Sequence, residues 1–249
     1  MTLSQNLTAA LRLRELILDG DLPGGTRVSE IPLSERLGVS RTPLRLALGQ
    51  LQHEGLLEAL PGGGFAVRLF TRDQVMDAID LRGLLEGAAA RLAAERRRGP
   101  DELEAIHGCV RQLDLLFDTG RLESENFERY VALNERFHAL LIAGAGSEAI
   151  TGAYERALAL PFASPSAFVL LQADLPGSQR TMYVAQRQHR DLLDAITHGE
   201  GARAEALARE HARLARENLD LALESEERLA RLPGAGLIDR AGSPLEDAA

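Results

Sequence analysis

The spacing of apolar residues along the chain changes near residue 70. Between Leu7 and Arg68 the apolar runs are short and interrupted by turn residues, whereas from Thr71 to about Arg231 Ala and Leu recur with the period of long helices. This change predicts two domains, residues 1–70 and 71–231. The last stretch, 232–249, has turn residues and no sustained apolar face, and we expect it to be a disordered tail.

The first domain has the pattern of a winged helix-turn-helix. One short helix is predicted to end at Gly38, and Ser40 is placed to cap a second helix directly after it. Two β-rich runs, 56–60 and 65–69, flank a Pro-Gly-Gly-Gly turn and predict a two-stranded hairpin, the wing.

The second of these helices carries side chains suited to DNA. A recognition helix enters the major groove with its N-terminal residues foremost, and here those residues are Ser40, Arg41, Thr42 and Arg45. Each guanidinium can bind a guanine edge or a phosphate with two hydrogen bonds. Two arginines on a helix can also be no more than a solvated surface, but the turn, the cap and the glycine-rich wing together favour double-stranded DNA.

The net charge of −9 by itself argues against binding to nucleic acid, because the phosphates are bound by positive charge. Residues 1–70 nevertheless hold seven Arg and seven acidic residues, so the whole net negative charge lies in residues 71–249. All 28 basic residues are Arg. The single Cys109 excludes an intrachain disulfide framework. Without a membrane-spanning apolar run or a signal-peptide core, we expect a cytoplasmic protein with no membrane association.

The second domain is predicted to be an antiparallel all-helical bundle, so the chain as a whole is mainly α. Prolines break the helical pattern around 161–176. The helices that the pattern predicts are roughly 73–97, 101–118, 123–143, 147–160, 178–198 and 201–229.

Three histidines of this bundle are spaced so that they can converge. Asn134 and His138 lie one helical turn apart. His189 and His211 lie about equally far on either side of the turn near Gly199, so an antiparallel helix pair brings them level. Any one histidine is more often hydrogen-bonded or exposed than a metal ligand, and we expect His53, His107 and His198 to be solvent-exposed. Three imidazoles and an amide oxygen together would suit zinc, nickel, iron or copper.

Arg82 is a second candidate in the bundle, because apolar neighbours turn it toward the core. A core-facing arginine needs an anion, which is either Glu86 one turn later or a ligand. Arg187 and Asn218 are further candidates for binding an effector. A metal and an arginine would hold a small organic acid from two sides.

The segment GVSRTPLRLALGQLQHEGLLEALPGGGFAV resembles the DNA-binding domain of GntR-family bacterial transcription regulators. The length and the helical second half look like the fatty-acid-regulator branch, with its FCD effector domain, and the resemblance covers residues 5–225. It implies DNA contacts from Arg36, Arg41, Thr42, Arg45 and the wing glycines Gly63 and Gly64. It also implies a metal held by Asp-x-x-x-His and one histidine on each of the last two helices. His138, His189 and His211 match that pattern, but Asn134, a weaker neutral ligand, replaces the aspartate.

Two functions follow as hypotheses. The first is a ligand-responsive transcription regulator, expected to be a repressor, that binds a palindromic operator as a homodimer. A small organic acid at a zinc or nickel site would change its DNA affinity. The alternative is a metal-dependent enzyme that uses the three-histidine site. The enzyme hypothesis lacks a His-Glu-x-x-His motif and leaves residues 1–70 without a role.

Overall fold

The computed structural model describes residues 5–96, 100–118, 120–160, 162–167, 169, 178–225, 227, 229 and 232–239. The side chains of 100–102 and 178 are outside the described part. Contacts divide the chain into two units. Unit 1 comprises 1–75, 159–161 and 233–249, and unit 2 comprises 76–158 and 162–232.

Unit 1 contains the predicted helix-turn-helix. Its helices are α1 (Gln5–Leu18), α2 (Glu30–Leu37) and α3 (Arg41–His53). Gly38 ends α2 with a left-handed φ of 65°, the conformation that a tight turn needs and that glycine adopts without strain. Ser29 and Ser40 precede α2 and α3, but neither side chain makes the capping hydrogen bond. The core of the unit is closed by fully buried leucines, among them Leu13, Leu44, Leu48 and Leu51.

The wing is a three-stranded antiparallel sheet in the order β1-β3-β2, one strand more than the sequence predicts. Its strands are β1 (Arg27–Val28), β2 (Leu57–Ala59) and β3 (Phe65–Val67). Ala66 pairs with Glu58 on one side and with Arg27 on the other. A two-residue strand has too little pattern to be recognised from sequence.

The segment 233–239 is not the disordered tail that the sequence predicts. Gly234 donates a hydrogen bond to the carbonyl of Leu18, and Ile238 forms a parallel bridge with Phe70. Leu237 and Ile238 are buried. The turn residues that suggested disorder instead form a short 3-10 turn (Ala235–Leu237) that lets the chain pack on unit 1. Residues 240–249, also predicted to be a tail, lie outside the described residues.

Thr71 caps the start of the first long helix, which the sequence predicts to begin near residue 73. Its hydroxyl accepts a hydrogen bond from the Gln74 backbone at 3.2 Å, and the Gln74 side chain accepts one from the Thr71 backbone at 3.1 Å. This reciprocal pair is a capping box, which satisfies two backbone donors at the helix start.

Unit 2 is a helical bundle whose helices lie close to their predicted positions. The bounds are α4 (Arg72–Glu95), which begins in unit 1, α5 (Pro100–Leu115), α6 (Phe127–Gly144), α7 (Glu148–Leu158), α8 (Ser178–Thr197) and α9 (Gly201–Leu223). The predicted break at 161–176 falls largely outside the described residues. Buried Tyr130 and Phe137 of α6 pack with Leu113 of α5 in the main core cluster. No helix in the described residues is long and apolar enough to cross a membrane.

Two glycines one turn apart let α4 and α9 approach closely. A Cβ on Gly83 would lie 2.7 Å from the Cβ of Ala212, and one on Gly87 would lie 3.0 Å from Cγ of Arg209. Arg82 and Glu86 immediately precede these glycines. The close approach therefore places both charged residues next to the helix that carries His211.

We expect Gly83→Ala to lower the free energy of unfolding, because the added methyl would overlap Ala212. Overpacking of this kind costs about 1–3 kcal/mol, more than the gain of up to about 1 kcal/mol from replacing a helical glycine. Gly49→Ala is the matched control, since a Cβ at Gly49 of α3 meets nothing within 4 Å. Denaturant unfolding should show a loss for the first variant and a gain for the second. Equal gains in both would contradict the close helix contact.

Candidate functional site

The three predicted histidines come together in unit 2. His138 lies on α6, His189 on α8 and His211 on α9, and their relative exposures are 2%, 0% and 9%. One ring nitrogen from each lies within 4.8 Å of the others. The Nε2 atoms of His189 and His211 are 3.1 Å apart. The level pairing across the α8–α9 turn is as predicted.

An oxygen from a neighbouring side chain faces Nδ1 of each ring. Gln186 Oε1 lies 3.1 Å from Nδ1 of His189, and Gln188 Oε1 lies 2.9 Å from Nδ1 of His211. Glu86 Oε1 lies 2.8 Å from Nδ1 of His138, although that pair is not aligned as a hydrogen bond. Neither Gln186 nor Gln188 was predicted as a site residue, although both are direct sequence neighbours of Arg187, which was.

The tautomer of His189 follows from its neighbour. Gln186 Nε2 donates to the carbonyl of Val110 and to Asp114 Oδ1, so its Oε1 is the atom that faces His189. His189 must then donate from Nδ1, which leaves Nε2 without a proton. Gln188 Oε1 faces Nδ1 of His211 at 2.9 Å, and with the amide in this orientation His211 also donates from Nδ1 and has a bare Nε2.

Two bare nitrogens facing each other at 3.1 Å repel unless a cation lies between them. Two nitrogens that each bind one metal ion at about 2.1 Å are separated by about 3.0 Å when the angle at the metal is 90° and by about 3.4 Å when it is tetrahedral, which brackets the observed distance to within a few tenths of an ångström. The residues therefore fit a divalent transition metal. Partners that fix the Nδ1 side of metal-binding histidines are the usual support of such a site.

Burial favours the neutral forms of His189 and His211. Removal from water, followed by the charges of its neighbours, lowers the pKa of His189 well below its ordinary value. Burial and then the charge of His138 lower the pKa of His211 to about 3. Neutral imidazole is the form that binds a metal.

Glu86 is the buried carboxylate beside the cluster. Burial by itself would raise its pKa, but the charges of His138 and Arg82 outweigh that effect and lower it to about 2. Tyr154 donates a hydrogen bond to its Oε1 at 3.1 Å, and Arg82 Nη1 lies 3.7 Å from the same oxygen. Nε of Arg82 and Oε2 of Glu86 have no hydrogen-bond partner among the described residues. The ionic partner that Arg82 needs is thus partly supplied by Glu86.

A cavity adjoins the histidine cluster. Its polar lining comes from Arg82, Tyr130, Asn134, Thr181, His211 and Asn218. The amide nitrogen of Asn134 lies 3.3 Å from the hydroxyl of Ser166, with which it forms a hydrogen bond. Asn218 is 7% exposed and lines the cavity, as the sequence predicts for an effector contact.

Arg187 does not belong to this site. It is exposed on α8, whereas Gln186 is fully buried and His189 lies three residues further along the same helix face. Arg187 lies two residues before His189, which places it about 200° around the helix axis from that histidine. The remaining histidines also lie apart from the cluster. His53 and His198 are exposed as expected, and His107 is half-buried with Nε2 3.3 Å from the Thr197 hydroxyl.

The predicted DNA-contacting side chains lie on the surface of unit 1. Ser40, Arg41, Thr42 and Arg45 are all exposed at the start of α3. Gly63 and Gly64, with a φ of 87° each, form the exposed tip of the wing. Arg27 on β1 is exposed and donates to the Gly63 carbonyl at 3.3 Å. Nothing in the local sequence associates Arg27 with the wing, because its strand pairs with residues far along the chain.

Two of the predicted DNA-binding arginines are held in surface ion pairs. Arg45 Nε lies 2.9 Å from Glu30, and Arg36 pairs with Asp21. The Arg45 side chain is still 68% exposed. Exposed pairs of this kind are worth at most about 1 kcal/mol, so a phosphate can replace either acid.

Two family models match the chain. The model for bacterial regulatory proteins of the gntR family matches residues 5–67. The FCD domain model matches residues 77–214, more than half of the chain. The chain belongs to the GntR family and has an FCD domain. It is therefore a DNA-binding transcriptional regulator, which confirms the resemblance found in the sequence.

Relatives and solved structures agree with this membership. An HTH-type transcriptional regulator in an unstable DNA locus of Streptomyces ambofaciens is 33% identical over 82% of this chain and 80% of its own. A probable D-xylose utilization operon transcriptional repressor of Paenarthrobacter nicotinovorans is 28% identical over 82% and 85%. The fold matches that of Lar, which controls the expression of the Listeria monocytogenes agr system, with a TM-score of 0.59 at 17% identity, covering 89% of this chain and 99% of Lar.

The double substitution of Arg41→Ala and Arg45→Ala should abolish specific DNA binding by this GntR-family protein. Each bidentate contact to a base contributes about 1–3 kcal/mol, so the combined loss should exceed about 30-fold in affinity. Electrophoretic mobility shift with the operator, identified by selection from a random duplex pool, measures it. Arg213→Ala, which removes an exposed arginine of α9, is the control and should bind normally. Unchanged binding by the double variant would show that α3 is not the recognition helix.

Glu30→Gln should have the opposite effect. Loss of the carboxylate frees Arg45 and removes a negative charge near the phosphates, so operator affinity should rise several-fold at low salt. The gain should shrink as the salt concentration is raised from about 50 to about 200 mM, because salt screens interactions between exposed charges. Glu35→Gln, at an exposed position on the same helix, is the control for a general charge effect. An equal gain in both variants would mean that the Glu30–Arg45 pair has no specific role.

Proposed function

We propose that this GntR-family regulator is a repressor that binds a palindromic operator as a homodimer and is released by a small organic acid. The acid would bind at a zinc or nickel ion in the FCD domain. The observation that carries the proposal is the pair of bare, buried Nε2 atoms of His189 and His211 next to a cavity lined by Arg82. The Paenarthrobacter relative, a probable repressor, supports the proposed direction of control.

His138, His189 and His211 would hold the metal, with Asn134 as the fourth protein ligand. Imidazole nitrogens suit zinc and nickel, and the bound ion would act as a Lewis acid that holds a carboxylate oxygen. Arg82, which lines the same cavity as His211, would bind the acid from the other side. Asn218 would add a hydrogen bond from its amide.

The chain offers two connections from this site to the DNA-binding unit. Helix α4 carries Arg82 and Glu86 and begins at Arg72 in unit 1. Helix α9 carries His211 and Asn218, and the chain after it leads to the segment 233–239 of unit 1. An acid that draws α4 and α9 together around the metal would act on both connections. We infer that this changes the spacing of the two winged helices in the dimer.

No observation favours the alternative of a metal-dependent enzyme. A hydrolytic site needs a base free to take a proton from water or substrate. Among the described residues, the carboxylate beside the cluster is Glu86, whose Oε1 is already bound by Tyr154 and faces His138. The family models and the relatives describe transcription regulators.

We expect His211→Ala to lower zinc affinity at least about 100-fold, because it removes a direct ligand, and loss of a mere supporting partner already costs 10–100-fold. His198→Ala, which removes an exposed histidine from the end of α8, is the matched control and should bind zinc as the unmodified protein does. Competition with a chromophoric chelator, checked by elemental analysis after dialysis, measures the affinity. Equal zinc affinity in both variants would rule out the proposed centre.

A further inference from the structure

We propose that residues 233–239, which we call the strap, lock the junction between the wing and α4 and so determine which half-site spacing the dimer accepts. The inference rests on the proposed homodimer on a palindromic operator and adds a determinant of its specificity. Phe70 and the strap both lie outside the two family matches, 5–67 and 77–214, so membership of the family assigns the strap no role.

The strap docks on the C-terminal end of α1. The last carbonyls of a helix have no partner within the helix, and Leu18 is the last residue of α1. Gly234, in the left-handed conformation with a φ of 79°, donates from its backbone to the Leu18 carbonyl at 2.8 Å. Leu237 and Ile238 then bury their side chains, with exposures of 1% and 6%. The contact therefore combines a helix cap with apolar burial.

The loop after α1 leaves room for the strap and for little else. A Cβ on Gly24 would lie 2.8 Å from the carbonyl oxygen of Gly236 and would also overlap the side chain of Leu69. Glycine permits this close approach of two backbone segments because it has no side chain. Any other residue at position 24 would displace either the strap or Leu69.

The strap binds both backbone groups of Phe70. The N–H of Phe70 donates to the Leu237 carbonyl at 2.7 Å, and the Phe70 carbonyl accepts a hydrogen bond from the N–H of Asp239 at 2.9 Å. Phe70 is 4% exposed, and the guanidinium of Arg68 lies over its ring at 4.8 Å from the centroid. Rotation of the backbone at Phe70 would break both hydrogen bonds and expose the ring, which costs free energy.

Phe70 is the point at which rotation would matter for DNA binding. The wing strand β3 ends at Val67 and α4 begins at Arg72, so residues 68–71 link the two directly. Arg68 is fixed at one end by its N–H, which donates to the Leu56 carbonyl at 3.0 Å. Thr71 is fixed at the other end by the capping box. The strap thus holds the junction between these two anchors.

A fixed junction restricts the operators that a dimer can bind. Each inserted base pair turns one half-site by about 35° around the duplex axis relative to the other, since a turn holds about 10–10.5 base pairs. Two winged helices held at a fixed separation engage both half-sites at one spacing. With flexible junctions the second winged helix reaches several spacings, but it binds each of them more weakly because it is no longer pre-organised.

The first measurement establishes release of the strap, by comparing Leu237→Asp with Gly236→Asp in the full-length chain. Leu237→Asp places a carboxylate at a buried position and should detach the strap. Gly236→Asp adds the same charge at an exposed position where a Cβ meets nothing within 4 Å among the described residues. Hydrogen exchange of the Phe70 amide should rise at least about tenfold in the first variant and less than about threefold in the second. Circular dichroism verifies that both variants are folded.

The second measurement tests the effect on operator choice. The operator selected from a random duplex pool is rebuilt with its half-sites about one to three base pairs closer or further apart, and a duplex with a single half-site is included. The unmodified protein and Gly236→Asp should lose at least about tenfold in affinity when the spacing changes, because both half-sites can no longer be bound together. Leu237→Asp should lose less than about threefold, bind the best spacing several-fold more weakly, and bind the single half-site as the unmodified protein does.

A pair of truncated chains removes or keeps the strap by a different route. A chain that ends at Leu232 lacks the strap and should accept altered spacings as Leu237→Asp does. A chain that ends at Asp239 keeps the strap and should discriminate between spacings as the unmodified protein does.

The outcomes separate the two proposals. If the unmodified protein binds all spacings and the single half-site equally, the palindromic dimer is wrong and the role of the strap fails with it. If the unmodified protein discriminates and the chains without a docked strap discriminate as sharply, the dimer stands and the role of the strap is overturned. If those chains lose affinity for the single half-site as much as for the operator, the strap only stabilises the DNA-binding unit, which also overturns the proposal.

Discussion

The histidine cluster depends on keeping two unprotonated imidazole nitrogens in contact inside the buried core of the bundle. Nε2 of His189 and Nε2 of His211 lie 3.1 Å apart, a distance that costs free energy until a cation joins them. What maintains it is a set of side-chain oxygens on the opposite edges of the rings. Gln186 of α8 is fixed by Val110 and Asp114 of α5, so these two helices together set the tautomer of His189. A site built this way would hold the geometry that a metal ion needs before the ion binds.

Small residues make that arrangement possible. Helix α9 faces the bundle with Ala204, Ala208, Ala212 and Ala215, all buried, so neighbouring helices can approach its backbone. Gly83 and Gly87 of α4 extend this approach on the side where Arg82 and Glu86 lie. The close contact brings a charged pair into the core, where it is tolerable because its members face each other, His138 and Tyr154. The close packing of α4 and α9 and the pairing of Arg82 with Glu86 therefore depend on each other.

The DNA-binding unit follows a different principle. The side chains predicted to contact DNA are exposed, and Arg36 and Arg45 are held in weak surface pairs that a phosphate could displace. With seven basic and seven acidic residues in 1–70, the unit has no excess of positive charge to bind DNA without specificity. Specific binding must come from the geometry of α3 and the wing. The acidic second domain adds to this selectivity by repelling bulk DNA.

The sequence by itself determined the parts that depend on local pattern. The helix bounds, the turn at Gly38 and the capping residue Thr71 follow from neighbours in the chain, as does the pairing of His189 with His211 across a short turn. Only the tertiary structure decided which neighbours meet over long distances. It placed Arg27 on the wing, packed 233–239 against Phe70, and set Gln186 rather than Arg187 behind the histidines. These contacts either join residues far apart in the chain or depend on which of two adjacent residues faces the core. Neither the period of the apolar residues nor the composition predicts them.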